Sequence, residues 1–385
     1  MIPAARLSAA IEILDRVLGG VPAEQALTNW ARGNRFAGSG DRHAIRDLVF
    51  DALRCKRSYA ALGGAETGRG LILGGVRAQG ADVDALFTGV GHAPGVVLDE
   101  PSRPVTEAEA LDCPDWLLPL FQAALGADHA AILAALRQRA PVFLRVNTAQ
   151  GTVDAARAGL AREGVVAQAH PLAETALEVV ENARKVHTTQ AYLTGLVELQ
   201  DAASQAVVQA LPLRDGMRVL DYCAGGGGKT LAMAARAKLR LFAHDAEPRR
   251  MQDLPARAAR AGVAVRTLTT GEVAGAGPYD LVLIDVPCSG SGSWRRAPEA
   301  KWALSPARLQ ELCALQAGIL DKAAGLVAAG GTLAYATCSM LNAENPDQIV
   351  GFLARNPAWV LLESRVLTPL DGGDGFFHAI LTRNQ

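Results

Sequence analysis

The sequence lacks several features that would assign it at once to a class of protein. Its 385 residues contain no run of eighteen or more apolar residues, which a membrane-spanning helix would need. Charges of opposite sign nearly cancel, with 38 Lys and Arg against 39 Asp and Glu, so the chain as a whole is not a polycation. Any contact with nucleic acid would therefore come from local basic patches.

The first twenty residues also lack the pattern of a secretory signal. Charged residues such as Arg6, Glu12 and Arg16 interrupt the apolar positions, and no cleavage site follows. The stretch is typical of an amphipathic helix instead. We therefore expect a cytoplasmic protein without a membrane partner, and a monomer is the simplest oligomeric state.

Cysteine is scarce and is not arranged for metal or disulfide chemistry. The six cysteines form no C-x-x-C pair and have no cluster of histidines near them, so we expect no metal site. A large protein of the reducing cytoplasm also has little use for a disulfide framework. Buried cysteine is usually a small apolar residue, and we interpret Cys55, Cys113 and Cys313 in this way.

The spacing of apolar residues divides the chain into three regions. Residues 1–110 have apolar positions three and four residues apart, which predicts a helical domain. Residues 111–197 combine helices with the strand-like VFLRVNT (142–148) and predict a small α+β subdomain. Residues 198–385 alternate strand, loop and helix, which predicts an α/β domain with a doubly wound, Rossmann-like parallel sheet.

Positive charge is concentrated near the N-terminus. Residues 1–80 contain 11 Lys and Arg against 7 Asp and Glu. The excess clusters in Arg42, Arg46, Arg54, Lys56 and Arg57. Two interpretations stay open here, a solvated helix face and a surface that contacts the RNA backbone.

Four predicted strands of the third region end in residues that can do chemistry. Parallel sheets bind their ligands in the crevice beyond the carboxyl ends of the strands. The residues at those ends are Cys223, Asp245, Asp285, Cys288 and Cys338. We expect these five side chains to converge on one edge of the sheet.

A glycine-rich turn follows the first of these strands. It is not a P-loop, because Cys223 stands where that motif needs its first glycine, and it is not a dinucleotide fingerprint, because Thr230 replaces the last glycine. A glycine turn with Asp245 at the end of the next strand suits a cofactor that carries a nucleoside but no pyrophosphate. S-adenosylmethionine fits this description, and a dehydrogenase with a degenerate fingerprint is the alternative.

Two thiols at one edge of a sheet indicate nucleophilic chemistry. Carbon 5 of cytosine cannot attack a methyl sulfonium unaided, but a thiolate added at C6 converts it into an enamine carbon. Asp285 is placed to act as an acid near N3 while charge develops. The C5 proton must then leave before the thiolate is expelled, and a second thiol could assist. The residues alone do not say which role belongs to Cys288 and which to Cys338.

Seven stretches over roughly residues 114–381 carry a resemblance to a known family. They are PDWLL, LRVN, QDAASQ, DYCAGGGGKT, DVPCSGSGSWRRAPEAKW, YATCSMLNAENPDQI and DGFFHAIL. The chain resembles bacterial RNA (cytosine-5)-methyltransferases of the Nop/Sun group, and among them the ribosomal RNA enzymes with a NusB-like domain. This resemblance implies an S-adenosylmethionine-dependent, Rossmann-like methyltransferase domain at 198–385. A NusB-like RNA-binding domain at 1–110 would precede it, a match that rests on helical pattern and on DRHAIRDLVFDALR.

The resemblance also implies a role for each site residue. Cys338 would add to C6 of cytosine, Cys288 would help to release the methylated product, and Asp285 would face N3. Lys229 would bind the cytosine or hold the glycine turn. The implied cofactor-binding residues are Cys223, Ala224, Gly225, Gly226, Gly227, Gly228, Lys229, Asp245 and Asp285. The RNA partner would be ribosomal RNA.

The sequence departs from the family pattern at two places. The family usually has alanine-proline where this chain has Gly225-Gly226, which should make the turn more flexible. The family also carries an acid near the adenine at the end of the third strand. Here Thr269 and Thr270 stand at that point with Glu272 close by, so no adenine ligand is assigned.

Three alternatives follow from these observations. A catalytically weak, methyltransferase-like RNA-binding or ribosome assembly factor would explain the missing acid, and a cytosine-5 methyltransferase could instead act on tRNA. A DNA enzyme is disfavoured, because those usually carry a single nucleophile in a proline-cysteine segment.

Arg295 and Arg296 lie where the family places its RNA, and Trp294 and Trp302 could stack on bases or pack in a core.

Overall fold

The computed structural model describes residues 1–98 and 101–383 and divides into two compact units. Unit 1 consists of residues 1–139 together with the later segment Trp294–Ala303. Unit 2 consists of residues 140–293 and the chain from Leu304 onward. The predicted domain boundaries at residues 110 and 197 were drawn from sequence pattern and stay predictions.

In the described part of the chain, unit 1 contains helices only, whereas helices and strands alternate through unit 2. The helices are α1 (Pro3–Leu18), α2 (Ala23–Gly33), α3 (Ser39–Arg54), α4 (Lys56–Gly63), α5 (Gly68–Ala78), α6 (Val83–Leu86), α7 (Glu107–Ala110), α8 (Leu118–Leu125), α9 (His129–Leu136), α10 (Val153–Arg162), α11 (Gln190–Leu193), α12 (Ala202–Gln209), α13 (Gly228–Ala234), α14 (Leu254–Ala261), α15 (Thr270–Ala276), α16 (Pro298–Ala303), α17 (Pro306–Ala324) and α18 (Pro346–Arg355). The strands are β1 (Val142–Val146), β2 (Val166–Ala169), β3 (Ala176–Glu181), β4 (Val197–Leu199), β5 (Arg218–Asp221), β6 (Arg240–His244), β7 (Val265–Leu268), β8 (Tyr279–Asp285), β9 (Val327–Thr337), β10 (Trp359–Leu367) and β11 (Phe376–Arg383). Short 3-10 helices lie at Gly126–Asp128, Ala183–Thr188, Pro248–Met251, Ser291–Ser293, Asn342–Glu344 and Pro369–Asp371.

Unit 1 is built from amphipathic helices around one apolar core. In α1, Leu7, Ala10 and Leu14 lie three and four residues apart, so they share one helix face, and that face is buried. Leu71 of α5 and Ile45 of α3 belong to the same core. Fully burying a leucine or isoleucine side chain contributes about 1.5–3 kcal/mol, so this stripe is enough to hold the helices together.

The segment Trp294–Ala303 packs as part of unit 1. Trp294 is only 1 % exposed and meets the ring of Phe121 edge-on, with ring centroids 5.9 Å apart. The indole Nε1 of Trp302 donates to the carbonyl of Leu53 at 2.7 Å. The ammonium of Lys301 donates to the carbonyl of Arg54 at 3.1 Å. We therefore interpret Trp294 and Trp302 as residues that pack within unit 1, not as residues that stack on bases.

The basic cluster of unit 1 is engaged within the unit itself. Arg42 donates to the Ala37 carbonyl, Arg46 pairs with Glu24, Arg54 donates to the Arg295 carbonyl, Lys56 pairs with Glu66 and Arg57 pairs with Asp115. Surface ion pairs of this kind favour the interpretation of the basic cluster as a solvated helix face whose charges are paired with nearby acids. Arg295 is buried, at 4 % exposure, whereas Arg296 is exposed. Of these two arginines, Arg296 is the one whose side chain faces solvent.

One helical stretch of unit 1, Leu118–Leu136, is long and apolar enough to span a membrane by length and composition alone. It is divided by the 3-10 turn Gly126–Asp128 between α8 and α9. Its apolar residues Leu118, Phe121 and Leu133 are buried in the protein. The tested window is 22 % buried, and a single stretch of this kind is weak support for a membrane span.

Unit 2 begins with a small antiparallel sheet. The strand order is β2-β3-β1-β4, and β1 pairs antiparallel with both β3 and β4. Helix α10 covers one face, where Leu144, Val146, Ala156 and Leu160 are fully buried. The predicted strand in VFLRVNT corresponds to β1.

The larger sheet of unit 2 has the order β10-β11-β9-β8-β5-β6-β7. The five strands from β5 to β9 run parallel, and β10 and β11 add an antiparallel edge. Successive residues of β8 face opposite sides, so Leu281 and Leu283 enter one core while Val282 and Ile284 enter another. A strand buried on both faces reads as a continuous apolar run, as this one does. The prediction of an α/β chain with a Rossmann-like sheet and a helical N-terminal region is confirmed.

Candidate active site

The two thiols predicted at the sheet edge lie side by side. Strands β8 and β9 are adjacent and parallel, with Asp285 in register with Ala336, so the loops that follow them leave the same edge. Cys288 lies three residues after β8 and Cys338 directly after β9. Their sulfur atoms are 3.4 Å apart. A gap of fifty residues in sequence is therefore closed by the topology of the sheet.

The contact between the thiols makes them chemically unequal. The hydrogen bond from Cys288 to the Cys338 sulfur lowers the pKa of Cys338, and the nearby Lys229 ammonium acts in the same direction. The same hydrogen bond, together with burial, raises the pKa of Cys288 well above its ordinary value. Cys338 is therefore the better thiolate, since a thiolate is the reactive form of cysteine.

A buried glutamate that the sequence analysis missed ties the two cysteine loops together. The Glu344 carboxylate, fully buried, accepts hydrogen bonds from the Ser289 backbone N–H at 2.7 Å and from the Ser339 hydroxyl at 2.5 Å. Ser289 follows Cys288 and Ser339 follows Cys338 in the chain. The sequence contains one signal for this role, which is the position of Glu344 inside the stretch YATCSMLNAENPDQI. Nothing in the sequence assigned it a chemical role.

We expect Glu344→Gln to loosen the cysteine pair without changing either thiol. The amide nitrogen would face donors where the carboxylate oxygen accepted from them, and hydrogen bonds to a charged group contribute about 1.5–3 kcal/mol each. Unfolding in urea should show a loss of about 2–4 kcal/mol. Methyl transfer should fall up to about 10²-fold, the cost of a small misplacement of reacting groups. Glu311→Gln, an exposed glutamate of α17 paired with Arg308, is the matched control. An unchanged rate in Glu344→Gln would contradict this role.

An ion pair stands beside the thiols. Lys229, at the start of α13, donates from Nζ to Oδ2 of Asp285 at 2.6 Å and lies 4.9 Å above the ring of Phe376. Burial disfavours the ammonium, but attraction and hydrogen bonding to the Asp285 carboxylate outweigh that cost and raise the pKa of Lys229. The side chain of Asp285 is 31 % exposed, so its carboxylate can be reached from the solvent. A substrate could therefore contact Asp285 while Lys229 holds it.

The glycine turn lies at the same edge, between β5 and α13. Gly225 and Gly227 have φ angles of +51° and +79°, a region that favours glycine. A Cβ at Gly227 would also come within 2.2 Å of the Leu254 side chain. The backbone N–H of Gly225 donates to Oδ2 of Asp245 at 3.0 Å, and Asp245 is 4 % exposed. The acid at the end of β6 is thus bonded to the turn. Its Oδ1 also accepts from the backbone N–H of Glu247 at 2.9 Å, and its Oδ2 lies 3.4 Å from Nη1 of Arg250.

Two of the remaining predicted cofactor residues belong to the same turn. Ala224 is buried, and its backbone N–H donates to the carbonyl of His244 at 2.8 Å. Cys223 is half-buried, and burial raises the pKa of its thiol, which makes it a poor nucleophile. The structure therefore brings all nine residues of the predicted set to one edge of the sheet, while their contacts with a ligand stay predictions.

Asp221, the last residue of β5, has an unusual environment. It is 1 % exposed, accepts a hydrogen bond from the Thr230 hydroxyl at 2.6 Å, and its Oδ1 has no partner among the described residues. Burial raises the pKa of Asp221 to about 7 against the hydrogen bond from Thr230, which lowers it. At mildly acidic pH the Asp221 carboxyl group is therefore protonated in the folded protein.

We expect the variant Asp221→Asn to gain stability relative to the natural protein as pH rises. An unfolded Asp titrates near 3.8 and the folded one at about 7, so between these values the folded state holds a proton that the unfolded state has lost. Stability from this group is therefore lost as pH rises to about 7. The total is roughly three pKa units, or about 4 kcal/mol. Urea unfolding of both proteins from about pH 3.5 to 8 covers this whole interval, and a constant difference would contradict the shift.

The end of the third strand offers no free acid. Glu272 is exposed and accepts from both the backbone N–H and the hydroxyl of Thr269, forming a capping box at the start of α15. Thr270 contacts the ring of His244 at 3.0 Å. Glu272 and Thr269 therefore cap α15, and Thr270 packs against His244.

The remaining cysteines lie apart from this edge. Cys55 and Cys113 are buried in unit 1, and burial raises the pKa of both thiols, that of Cys113 to about 12. Cys313, on α17, contacts the carbonyl of Ala343 at 3.4 Å. All three behave as the small apolar residues that the sequence predicted.

The parallel sheet, the glycine turn and the acid at the end of β6 define a Rossmann-like methyltransferase domain. Residues 208–381 match the family described as "16S rRNA methyltransferase RsmB/F". Residues 113–187 match a "Methyltr_RsmF/B-like, ferredoxin-like domain", which includes the sheet β2-β3-β1. The chain belongs to this RsmB/F family of methyltransferases, within the Nop/Sun group.

Several curated relatives are similar over much of the chain. "Ribosomal RNA small subunit methyltransferase B" of Erwinia tasmaniensis is 35 % identical over 284 residues, which are 70 % of this chain and 66 % of the relative. The protein of the same name from Klebsiella pneumoniae subsp. pneumoniae is 35 % identical over 288 residues, 71 % of this chain and 66 % of the relative. The match thus spans just under two thirds of the length of these relatives.

Solved structures resemble the fold at lower identity. The crystal structure of PH0851 has a TM-score of 0.80 and 23 % identity, and the match covers 100 % of this chain and 99 % of that one. NSun6 from Pyrococcus horikoshii, solved with SFG, has a TM-score of 0.62 and 17 % identity over 71 % of this chain and 98 % of that chain. At these identities the likeness extends to the fold alone.

Proposed function

We propose that the protein methylates carbon 5 of a cytosine in small-subunit ribosomal RNA, with S-adenosylmethionine as the methyl donor. The observation that carries the proposal is the cysteine pair, with sulfurs 3.4 Å apart at the ends of β8 and β9. One nucleophile would need one cysteine, and two unequal thiols on one edge suit a reaction with separate addition and release steps. The choice of ribosomal RNA follows the names of the curated relatives.

The residues of the glycine turn fit S-adenosylmethionine. The turn exposes backbone without side chains at Gly225–Gly228, and Asp245 adds a carboxylate that can accept hydrogen bonds from ribose hydroxyls. When bound, this cofactor supplies an activated methyl group. NSun6, whose fold resembles this chain, was solved with SFG, an analogue of that cofactor, which agrees with the assignment.

The protein groups would act on the cytosine in a fixed order. The Cys338 thiolate adds to C6, forming a carbon–sulfur bond and leaving electron density at C5. Asp285, hydrogen-bonded to Lys229, takes a proton from that ammonium and donates a proton to N3 as negative charge develops there. C5 then forms a bond to the methyl carbon, whose bond to the sulfonium sulfur breaks, so that a neutral thioether leaves. A base removes the C5 proton, the C5–C6 double bond re-forms, the Cys338 thiolate leaves and N3 returns its proton. Cys288, adjacent to Cys338, assists this last step.

The proposal is tested by transfer of labelled methyl groups to RNA. Purified protein is incubated with S-adenosylmethionine and one of three substrates: naked small-subunit ribosomal RNA, assembled small subunits or total tRNA. Bisulfite sequencing then locates any 5-methylcytosine. We expect one or a few sites in ribosomal RNA. Modification of tRNA alone would overturn the choice of substrate, and tight RNA binding without transfer to any substrate would favour an assembly factor.

A further inference from the structure

The glycine turn contains four consecutive glycines, which is a problem for a binding site. Glycine has the largest conformational freedom of any residue, so a turn of Gly225–Gly228 is expected to be disordered without support. Its φ angles at Gly225 and Gly227 also lie in the left-handed region, and Asp245 bonds only the N–H at the start of the turn. Some other part of unit 2 must hold the turn if it is to bind a ligand in one conformation.

An arginine of α14 contacts the backbone of the turn. Nη1 of Arg257 donates a hydrogen bond to the carbonyl of Gly226. The guanidinium is itself oriented by Glu198 of β4, whose Oε1 lies 3.6 Å from Nε of Arg257. Glu198 also binds Arg260 at 2.9 and 3.0 Å and is nearly buried, at 7 % exposure. Glu198 therefore fixes both arginines on one side of α14 toward the small antiparallel sheet.

A second arginine holds the other end of the turn. Nη1 of Arg145, in β1, donates to the carbonyl of Gly228 at 2.8 Å and to Oε1 of Gln200 at 2.5 Å. Arg145 is 3 % exposed, and burial lowers its pKa only to about 10, so it keeps its charge at neutral pH. The two carbonyls on either side of Gly227 are thus each held by a guanidinium that residues of the small sheet orient.

The absence of a side chain at Gly226 is what allows this contact. A Cβ at position 226 would lie 2.9 Å from Nη1 of Arg257, closer than real Cβ contacts allow. No other atom lies within 4 Å of that Cβ, and the φ of Gly226 is outside the left-handed region. An alanine at 226 would therefore be tolerated by the backbone and would be opposed by Arg257 alone.

We propose that Arg257 and Arg145 are positioning residues that clamp the glycine turn in its binding conformation, with Glu198 of β4 and Gln200, which directly follows β4, orienting them. The small antiparallel sheet then has a task in cofactor binding as well as in folding. This inference rests on the proposed function for its ligand, S-adenosylmethionine, but the clamp itself is a property of the free protein.

The test compares four proteins in a double-mutant cycle: the natural protein, Arg257→Ala, Gly226→Ala, and the two changes combined. Binding of S-adenosylmethionine is measured by calorimetry. Each single change should weaken binding about tenfold, the first by removing the donor and the second by displacing it. The combined change should be no weaker than Arg257→Ala, because the alanine then has room and restricts the turn. Losses that multiply to about a hundredfold would overturn the proposal.

Two further measurements separate the clamp from general destabilisation and from the proposed function. Hydrogen exchange of the peptide containing Gly225–Gly228 is followed without ligand, and Arg257→Ala should speed it at least about tenfold. Arg249→Ala, which removes the same charge from an exposed site near α14, should leave both exchange and binding unchanged. Unaltered exchange in Arg257→Ala would refute the clamp. Faster exchange in a protein that binds no S-adenosylmethionine would support the clamp and refute the proposed function instead.

Discussion

Replacing Cys338 by alanine is expected to abolish methyl transfer, with a loss on the order of 10⁴-fold or more. The thiol is the group whose pKa the site lowers, through the hydrogen bond from Cys288 and the charge of Lys229. Without it no carbon–sulfur bond to C6 can form, and C5 is left without the electron density that it needs. Transfer assays with labelled S-adenosylmethionine measure the rate, and a denaturing gel should reveal no protein–RNA adduct.

In the same assay, Cys288→Ala should show a protein–RNA adduct on the denaturing gel, where Cys338→Ala shows none. The nucleophile is present, addition and methylation proceed, and release is slowed, so a covalent protein–RNA adduct should accumulate. Cys288→Ser refines the result, because a hydroxyl can still donate a hydrogen bond to the Cys338 thiolate. We expect the pH dependence of adduct formation to move to higher pH in Cys288→Ala and less so in Cys288→Ser.

Cys313→Ala serves as the matched control for both changes. Cys313 is half-buried on α17 and bonds to the backbone carbonyl of Ala343, not to either thiol of the pair. Its loss should change neither the rate nor the gel. Activity that survived Cys338→Ala would refute the assignment of the nucleophile, and an adduct trapped in Cys338→Ala would transfer that role to Cys288.

Breaking the pair of Lys229 and Asp285 is expected to have the second largest effect. Lys229→Met keeps an unbranched apolar side chain of similar length but removes the charge, and with it the contact of Nζ with the Phe376 ring. Asp285 would lose the partner that holds it at 2.6 Å, and Cys338 would lose a nearby positive charge. We expect methyl transfer to fall about 10²–10⁴-fold, the range for losing a positioned proton donor or acceptor.

The stability of Lys229→Met should fall much less than its activity. Breaking a fully buried pair costs about 3–5 kcal/mol, but Asp285 is 31 % exposed and can be solvated, so we expect about 1–2 kcal/mol. Asp285→Asn should lose activity to a similar extent, and the double variant should be little worse than either single one, because the two groups act as a unit. Independent, multiplying losses in the kinetic assay would contradict this coupling.

The part of the fold that sequence could predict is the part governed by local pattern. Strand β8 is a run of apolar residues that must be buried on both faces, and β9 has the same character, so their parallel pairing and the meeting of Cys288 with Cys338 followed. The glycine turn and Asp245 were found in the same way, because their positions are fixed by the ends of strands. These predictions needed no knowledge of which distant residues touch.

The part that sequence could not predict depends on contacts between distant residues. In the sequence, Glu344 cannot be distinguished from a surface acid. Only the structure shows that it accepts hydrogen bonds from Ser289 and Ser339, in the two loops that carry the cysteines. Arg257 is one of two arginines on α14, and its approach to Gly226 is what distinguishes it from Arg260. A surface for RNA was one of two interpretations left open for the basic cluster of unit 1. Four of its five charges pair with acids, as Arg57 does with Asp115, 58 positions away. Composition cannot reveal such pairing.

The order of synthesis has a consequence for the helices of unit 1. They leave the ribosome first, yet Trp294 and Trp302 fill places in their packing. These residues are made roughly 160 positions after Arg139, which at about 5–20 residues per second is a delay on the order of 8–30 s. During that interval the pocket for Trp294 beside Phe121 is open and apolar. The helical unit can finish folding only after the loop bearing Cys288 has been synthesised, so a nascent chain with a completed N-terminal unit already contains that cysteine.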